Sequence, residues 1–504
     1  MGFRMNAPFR VDQQVLDVAI IGAGFSGLCM AIKLKESGRT NFKVFEKASD
    51  IGGTWFLNRY PGCACDVPSH LYSFSFEQNP NWSRAYSPAQ EIWKYQKATA
   101  EKHGIMPFIR CDAEVARAEY DDAAQLWRLT LKSGEQFAAR SLVAGAGILH
   151  VPFHPEIKGA ETFTGKVMHT ANWDDSYDLT GKRVAVIGTG ASAVQLVPGI
   201  AEKVAHLDLY QRTPGWVIPR MDYAFEEKSK SRFARVPFLQ RLWRNLIYWR
   251  AEMLAIGFTR KPKMVAKFQK LAENYMQHAI RDPELRKKLT PDFPLGCKRV
   301  LISDDFYPSL QRENVEVITD RVTEIRPNGV VTADGKLREV DAILYATGFR
   351  VTDWLSHVDI RGQGGRELID DWRDGAYAYY GVTVNGYPNM FLLLGPNTGL
   401  GHNSVVFMIE AQVRYAMDCM RWLWNGAGTV EVKKDVQDTF NAELREKMKG
   451  TVWMSGCKSW YLNTNGTNST IWPDFTVTYW WKTHSADKKD YHLAPARVPE
   501  KVAA

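Results

Sequence analysis

Near the start of the chain, the pattern of apolar and polar positions predicts a strand, a helix and a second strand. The run Val18–Ile21 is continuously apolar, as in a parallel strand that is buried on both faces. Apolar residues then recur at helical spacing: Leu28, Ala31, Ile32 and Leu34. Gly38 ends this helical pattern, and the strand Lys43–Phe45 follows. This β-α-β order is typical of α/β folds with a parallel sheet.

The same pattern returns at 183–213, which reads RVAVIGTGASAVQLVPGIAEKVAHLDLYQRT. Two further apolar strands, 141–149 and 342–349, each run into a glycine turn. Each follows a polar passage that contains a hairpin-like glycine, Gly134 or Gly335. We therefore expect each β-α-β unit to close with such a strand. The predicted fold class is α/β, with two dinucleotide-binding (Rossmann-like) domains.

The first glycine turn carries the chemistry of a dinucleotide site. Gly22 allows the tight turn, Gly24 lets a pyrophosphate approach the backbone, and Gly27 lets the helix pack on the strand. The free N–H groups at the start of the helix attract the phosphates. Glu46, at the end of the second strand, can accept hydrogen bonds from both ribose hydroxyls. This set predicts a site for FAD.

The second glycine turn predicts a different nucleotide. Gly188 and Gly190 repeat the first two glycines, and Ser192 opens the following helix as a further candidate cofactor ligand. Arg212, followed by Thr213, stands at the same interval from Gly188 as Glu46 from Gly22. A carboxylate selects a free 2′-hydroxyl, whereas a guanidinium selects a 2′-phosphate. The second site is therefore predicted to bind NADPH.

These assignments define the expected domains. Residues 1–155 form the first part of the FAD-binding domain, and 156–345 form the NADPH-binding domain. Residues 346–504 complete the FAD-binding domain and add a C-terminal region. Within the second domain, 217–290 shifts to helical periodicity with many aromatic and basic residues, which predicts a helical insert. Packing of this insert against its own domain is favoured over contact with a membrane surface.

Composition excludes some classes of function. The chain has 504 residues, a net charge of +8 and no basic run, which argues against nucleic-acid binding. Its N-terminus lacks the apolar stretch of a signal peptide, and no apolar run is long enough to span a bilayer. Aromatic residues make up 12%, which suits a pocket for an apolar ligand as well as an ordinary large core.

The cysteines constrain the electron acceptor. The chain has 7 cysteines but no C-x-x-C, which predicts free thiols in a reducing cytoplasm. Cys63 and Cys65 are interpreted as ordinary small residues, and no metal site is predicted. Without a redox cysteine pair, electrons passed from NADPH to a flavin are expected to go to O2 and not to a disulfide.

The connector between the glycine turns, FTGKVMHTANWDD (163–175), supplies a family resemblance. Its pattern, with Phe163, Gly165, His169 and then Trp173-Asp174, resembles the fingerprint of type I Baeyer–Villiger monooxygenases, class B flavoprotein monooxygenases. Further segments that are similar to this family lie at 52–66, 213–216, 297–299, 346–349 and 457–475. The resemblance covers most of the chain from about 15 to 480. It implies oxygen insertion into a ketone, giving an ester or lactone through a C4a-peroxyflavin.

Site residues follow from the resemblance position by position. Arg299 resembles the arginine beside the flavin, and Asp66 the acid that holds it. Lys298 resembles the lysine that assists the 2′-phosphate, together with Arg212 and Thr213. His169 resembles the linker residue that couples movement of the NADPH domain to the flavin site. Trp55 and Tyr72 match aromatic positions on the flavin side.

The chemistry gives Arg299 its own rationale. Attack on a ketone requires an anionic peroxide, and a guanidinium about 4–6 Å away lowers the pKa of such a group by roughly 1–3 units. Oxygenation of sulfur or nitrogen requires the protonated form instead. The main alternative is a flavin-containing monooxygenase acting on S or N of small molecules. A plain NADPH oxidase that releases peroxide is a second alternative.

One departure from the family pattern limits what the resemblance implies. Members often have an arginine two positions before the acid, where this chain has Ala64. The expected partners are a ketone and O2, and the expected state is a cytoplasmic monomer or weak homo-oligomer. The particular ketone is left open.

Overall fold

The computed structural model describes residues 15–260, 262–351, 355–457, 459–463 and 465–497. Its strands, in chain order, are β1 (Leu16–Ile21), β2 (Phe42–Phe45), β3 (Ile109–Arg110), β4 (Val115–Asp121), β5 (Leu126–Leu131), β6 (Gln136–Ala144), β7 (Lys166–His169), β8 (Arg183–Ile187), β9 (His206–Tyr210), β10 (Val217–Ile218), β11 (Leu301–Ile302), β12 (Val315–Ile318), β13 (Val322–Arg326), β14 (Gly329–Thr332), β15 (Leu337–Glu339), β16 (Ala342–Tyr345), β17 (Asp359–Arg361), β18 (Met390–Leu392), β19 (Ala427–Val432) and β20 (Tyr491–Pro495).

The α-helices connect and cover these strands. They are α1 (Phe25–Glu36), α2 (Thr54–Leu57), α3 (Ala89–Lys102), α4 (Ala191–Ile200), α5 (Glu227–Arg235), α6 (Pro237–Thr259), α7 (Pro262–Ala279), α8 (Pro283–Leu289), α9 (Phe306–Ser309), α10 (Leu368–Asp371), α11 (Val405–Trp424), α12 (Lys434–Lys449) and α13 (Thr476–Lys482). No helix among the described residues combines the length and the apolar character needed to cross a bilayer.

The first sheet has the order β17-β4-β5-β6-β1-β2-β3, and β18 pairs with the end of β6. Strand β1 runs parallel to both β2 and β6, while β4, β5 and β6 form an antiparallel hairpin series. The fully apolar run Val18–Ile20 is completely buried because helices α1 and α11 cover one face of the sheet and a second core covers the other. Two strands that follow residue 345, β17 and β18, thus lie in the first sheet.

The second sheet is entirely parallel, with the order β12-β9-β8-β16-β7. Helix α4 packs on it through Val194, Leu196 and Val197. The hairpin glycines Gly134 and Gly335 both have positive φ, at 89° and 77°, as such turns require. The α/β class with two Rossmann-like units is confirmed.

Helices α5–α8 occupy the span between β10 and β11. These two short strands pair in parallel, with Val217 opposite Leu301. The two ends of the helical segment α5–α8 therefore lie side by side. This pairing puts Arg299 immediately before a strand that is fixed to the second domain. Helix α7 belongs to a core that also includes Trp453 and Ile471 from the C-terminal region.

The expectation that all thiols are free is wrong for one pair. Cys297 and Cys457 form a disulfide across a sequence separation of 160 residues. No local spacing could reveal this pair, because only the fold brings the segment that precedes β11 beside the C-terminal region. Cys63 and Cys65 are free, and burial raises the pKa of Cys63 to about 12, so this thiol stays protonated at neutral pH.

Candidate active site

A cavity at the carboxyl end of β1 collects the residues predicted to bind the first dinucleotide. Its lining includes Gly22, Gly24, Glu46, Trp55 and Tyr72. Helix α1 begins at Phe25 with Gly24 as its N-cap and no side-chain cap, so its first N–H groups stay available to an anion.

The glycines of this turn are required by close backbone contacts. A Cβ on Gly22 would lie 2.7 Å from the carbonyl oxygen of Gly145. A Cβ on Gly27 would lie 1.8 Å from the carbonyl oxygen of Gly22. Only a glycine at position 27 therefore lets the helix pack this closely against the turn. These distances fit the cradle of a pyrophosphate group, and the residues present suit FAD.

Glu46 is already oriented toward the cavity. Its Oε2 accepts from the Ala23 N–H at 2.7 Å and its Oε1 from the Ala48 N–H at 2.9 Å. These bonds fix the carboxylate at the ribose end of the cavity. In the lining of the same cavity, the Trp55 indole N–H donates to the Tyr72 hydroxyl at 3.3 Å, and the two rings meet edge to face.

The second glycine turn is built in the same way. Gly188 has φ 126°, and a Cβ there would lie 2.3 Å from the carbonyl oxygen of Ala346. Gly190 caps α4 without a side-chain cap, and a Cβ there would meet nothing within 4 Å. The space beside the start of α4, where Ser192 lies, is therefore open to a phosphate.

Positive charge gathers beside this turn. Arg212 is exposed and makes no hydrogen bond or ion pair with any residue that the structure describes. Burial lowers the pKa of Lys298, and Arg212 lowers it further, so the two cations lie close enough to repel each other. Lys298 stacks over the Phe293 ring at 4.4 Å. The Thr213 carbonyl accepts from the Thr189 hydroxyl at 2.8 Å, which fixes the strand end to the glycine turn.

Arg299 and Asp66 form an ion pair between the two domains. The Arg299 Nε donates to Asp66 Oδ2 at 3.0 Å, and its Nη2 donates to the same oxygen. Asp66 holds the pKa of the guanidinium above its ordinary value, against the opposing effect of burial. The Arg299 side chain is 35% exposed, so part of it stays open to a ligand.

This ion pair lies next to the first cavity. Burial raises the pKa of Tyr72, which lines that cavity, and the charges of Asp66 and Arg299 both act on it. Tyr461 is a neighbour that sequence reasoning missed. Burial raises its pKa to about 12 while Arg299 opposes the rise, so its hydroxyl is neutral beside the cation. The signal was available, since Tyr461 stands in the segment 457–475 that resembles the family.

His169 lies where the two connections between the domains run side by side. It ends β7, opposite Tyr345 of β16. Its ring is 5.2 Å from that of His154 on the outgoing connection and 6.0 Å from that of Phe349 on the returning one. Its Nδ1 accepts from the Ala171 N–H at 3.0 Å. Burial, aided by His154, lowers its pKa to about 4, so the ring is neutral at pH 7.

A second contact between the domains was also missed. Gln195 of α4 bonds to the backbone of Ala64 in both directions, accepting at 3.3 Å and donating at 2.9 Å, and it also accepts from the Tyr60 hydroxyl at 2.9 Å. A Cβ on Gly62 would lie 2.3 Å from the Gln195 carbonyl oxygen, so the seam is tight. A glutamine in a helix carries no sequence signal of such a role.

The chain is similar to several known proteins. Residues 19–238 match the family model described as pyridine nucleotide-disulphide oxidoreductase. A protein of Pseudomonas aeruginosa named Baeyer-Villiger monooxygenase is 46% identical, over 94% of this chain and 91% of the relative. The closed crystal structure of cyclohexanone monooxygenase superposes with a TM-score of 0.87 at 26% identity, over 96% of this chain and 100% of that one. The crystal structure of OTEMO in complex with FAD and NADP gives 0.86 at 25% identity, with the same coverage.

Proposed function

This chain belongs to the Baeyer–Villiger monooxygenase family, and we infer that it uses FAD and NADPH to insert one oxygen atom from O2 into a ketone. It is a flavoprotein monooxygenase, and the product is an ester or a lactone. The observation that carries the inference is the ion pair of Arg299 with Asp66 beside the cavity of the first glycine turn.

Each cofactor has a set of residues that fits it. Gly22, Gly24 and Glu46 would hold the pyrophosphate and ribose of FAD, and Trp55 and Tyr72 line the same cavity. The turn at Gly188 and Gly190, Ser192, Thr213 and the cations Arg212 and Lys298 would hold NADPH by its phosphates. The chemistry that bound FAD and NADPH would supply is hydride transfer from nicotinamide to flavin and insertion of one oxygen atom of O2 beside the ketone carbonyl, with the other oxygen atom leaving as water.

Arg299 would act on the charge that this reaction generates. The carbonyl oxygen of a ketone gains negative charge when an oxygen nucleophile attacks its carbon, and a fixed cation stabilises that charge. Asp66 fixes two nitrogen atoms of the Arg299 guanidinium and so holds the cation in place. Oxidation of sulfur or nitrogen builds no such oxyanion on the substrate. The retained cation therefore favours ketone chemistry over the alternative.

His169 is proposed as a positioning residue. It contacts both connections between the domains through His154 and Phe349. A shift of the second domain would therefore move its ring, and its neutral imidazole makes it unsuitable as a proton donor at pH 7. A histidine that served only for packing would lie in the same place. A variant at His169 must therefore be tested for the rate of hydride transfer to the flavin as well as for product formation.

The test is a coupled assay of wild type, Arg299→Ala and Arg299→Lys with linear, aryl-alkyl and cyclic ketones and a thioether. Product is identified by mass spectrometry, and flavin reduction by NADPH is followed separately. We expect ester or lactone from at least one ketone, falling about 100- to 1,000-fold in Arg299→Ala. Flavin reduction should persist in that variant. Sulfoxide formed equally well by wild type and Arg299→Ala, with no ester, would assign the protein to the alternative class.

The remaining sequence-based expectations stay proposals. Free thiols at Cys29, Cys63, Cys65, Cys111 and Cys419 support a cytoplasmic location, whereas a disulfide such as Cys297–Cys457 is typical of oxidising compartments. We propose a monomer or weak homo-oligomer, because the two glycine turns and the Arg299–Asp66 pair all come from one chain. The domain limits at about 155 and 345 are likewise proposed, with the insert at 217–290.

A further inference from the structure

Helix α6 buries its polar face. Gln240, Arg244, Tyr248 and Glu252 are spaced four residues apart, and all four are buried. Their partners lie in the FAD-binding domain and the C-terminal region. Gln240 donates to the Asn79 carbonyl at 2.6 Å, Arg244 to the His70 carbonyl at 2.8 Å, and Glu252 accepts from the Thr476 hydroxyl at 2.7 Å. The helix is thus anchored through hydrogen bonds over three turns.

The opposite face of α6 is apolar and exposed. Its members recur at intervals of three or four residues and are each more than half exposed, from 53% for Trp249 to 69% for Phe238. We call this set the α6 stripe: Phe238, Leu242, Leu246, Trp249 and Met253. A surface helix ordinarily has the reverse arrangement, with its apolar side against the core. A contiguous apolar surface of this kind marks an interaction site.

The exposed charges of α6 itself have one sign, whereas the preceding helix α5, which packs against α6, also exposes the acid Glu227, paired with Lys230. The exposed charged residues of α6 are Arg241 and Arg250, and neither forms an ion pair with a described residue. The helix has a single acid, Glu252, and it is buried. The neighbouring helix α7 exposes Phe268 and Leu271 together with Lys267 and Lys270.

We propose that the α6 stripe docks the enzyme on an anionic phospholipid surface. Exposed Trp, Phe and Leu with flanking arginines are the composition of helices that lie in the interface plane of a bilayer. A second copy of this chain fits less well, because a two-fold contact would face Arg241 and Arg250 with the same cations and no exposed acid of α6. The inference does not depend on the proposed reaction. It places the enzyme where apolar ketones concentrate.

Flotation of the FAD-loaded enzyme with vesicles tests the proposal. One set contains phosphatidylcholine only, and the other phosphatidylcholine with phosphatidylglycerol. The stripe variant carries Leu242→Ser, Leu246→Ser and Met253→Ser; the charge variant carries Arg241→Gln and Arg250→Gln. Wild type should float with the anionic vesicles and be partly released by salt. The charge variant should partition about 30-fold less, since each cation near the surface contributes about 1 kcal/mol.

Matched controls separate the helix from general surface properties. Ile369→Ser with Trp481→Ser removes two exposed apolar side chains elsewhere, and Arg321→Gln with Lys336→Gln removes two exposed cations. Both controls should float like wild type, and all variants should retain flavin. Wild type that stays with the lipid-free fraction for both vesicle types would overturn the proposal. So would a stripe variant that floats normally, or a lipid-free dimer that the stripe variant dissociates.

Discussion

Arg299 depends on its neighbours for its position. Two of its nitrogen atoms bond to one oxygen of Asp66, which belongs to the other domain. The residue two positions earlier, Cys297, is tied to Cys457, and Tyr461 follows four positions after that cysteine. The cation is therefore fixed from three separate segments of the chain. That degree of fixation is what a group needs if it is to stabilise charge without reorganising.

Single residues are also expected to set the preference for NADPH over NADH. Arg212 and Lys298 would together offer two positive charges to a 2′-phosphate. We expect Arg212→Ala to raise KM for NADPH about 10- to 100-fold, because a hydrogen bond to a charged group contributes about 1.5–3 kcal/mol. KM for NADH and kcat should change little. Steady-state kinetics with both nucleotides decide this, with Arg321→Ala as the control; an equal rise for NADH would contradict a role in reading the phosphate.

At the level of elements, we expect the junction of β1 with α1 to decide whether FAD is held. A Cβ on Gly27 would lie 1.8 Å from the Gly22 carbonyl oxygen, so the helix would have to move away from the turn. We expect Gly27→Ala to be purified with little flavin, as measured by the ratio of flavin to protein absorbance. Gly450→Ala is the control, since φ there is −85° and a Cβ would meet nothing within 4 Å. A full flavin content in Gly27→Ala would refute this account of the turn.

The predicted elements agree with the observed ones where the pattern is local. The strand expected at Val18–Ile21 lies within β1, and that expected at Lys43–Phe45 lies within β2. Helix α1 begins at Phe25, three residues before the first apolar position used to predict it. The difference arises because the glycine turn itself provides the N-cap at Gly24, which hydrophobic periodicity does not register.

For the whole molecule, buried and half-buried neutral histidines set a dependence of stability on pH. Burial lowers the pKa of His70, His150, His169 and His357, to about 4 for His169. The unfolded chain takes up these protons first, near pH 6.5, so the free energy of unfolding falls as pH drops from about 6.5 to 4. For one such histidine the loss reaches about 3 kcal/mol by pH 4.

The His169→Gln variant checks this account. Its free energy of unfolding in urea should fall less steeply than that of wild type between about pH 6.5 and 5. The comparison uses only the slope of the free energy of unfolding against pH, so a different stability of the variant at pH 7.5 does not affect it. His492→Gln, at an exposed position, should keep the wild-type slope. Equal slopes for His169→Gln and wild type would contradict a buried neutral imidazole at position 169.

Local chemistry along the sequence was enough to predict the two nucleotide sites. The turns at Gly22 and Gly188, the acid at 46 and the base at 212 would act through backbone geometry and charge at fixed spacing, so short segments are sufficient to predict them. The resemblance to the family also named Arg299 and Asp66, which are far apart in the chain.

Only the tertiary structure decided which distant segments meet. The contacts of Arg299 with Asp66, of Gln195 with Ala64 and of Cys297 with Cys457 join the two domains or the C-terminal region. The reversed orientation of α6 also depends on it, because periodicity gives the two faces of a helix but not which one meets the protein. Burial and approach between distant residues are properties of packing, and no spacing along the chain specifies them.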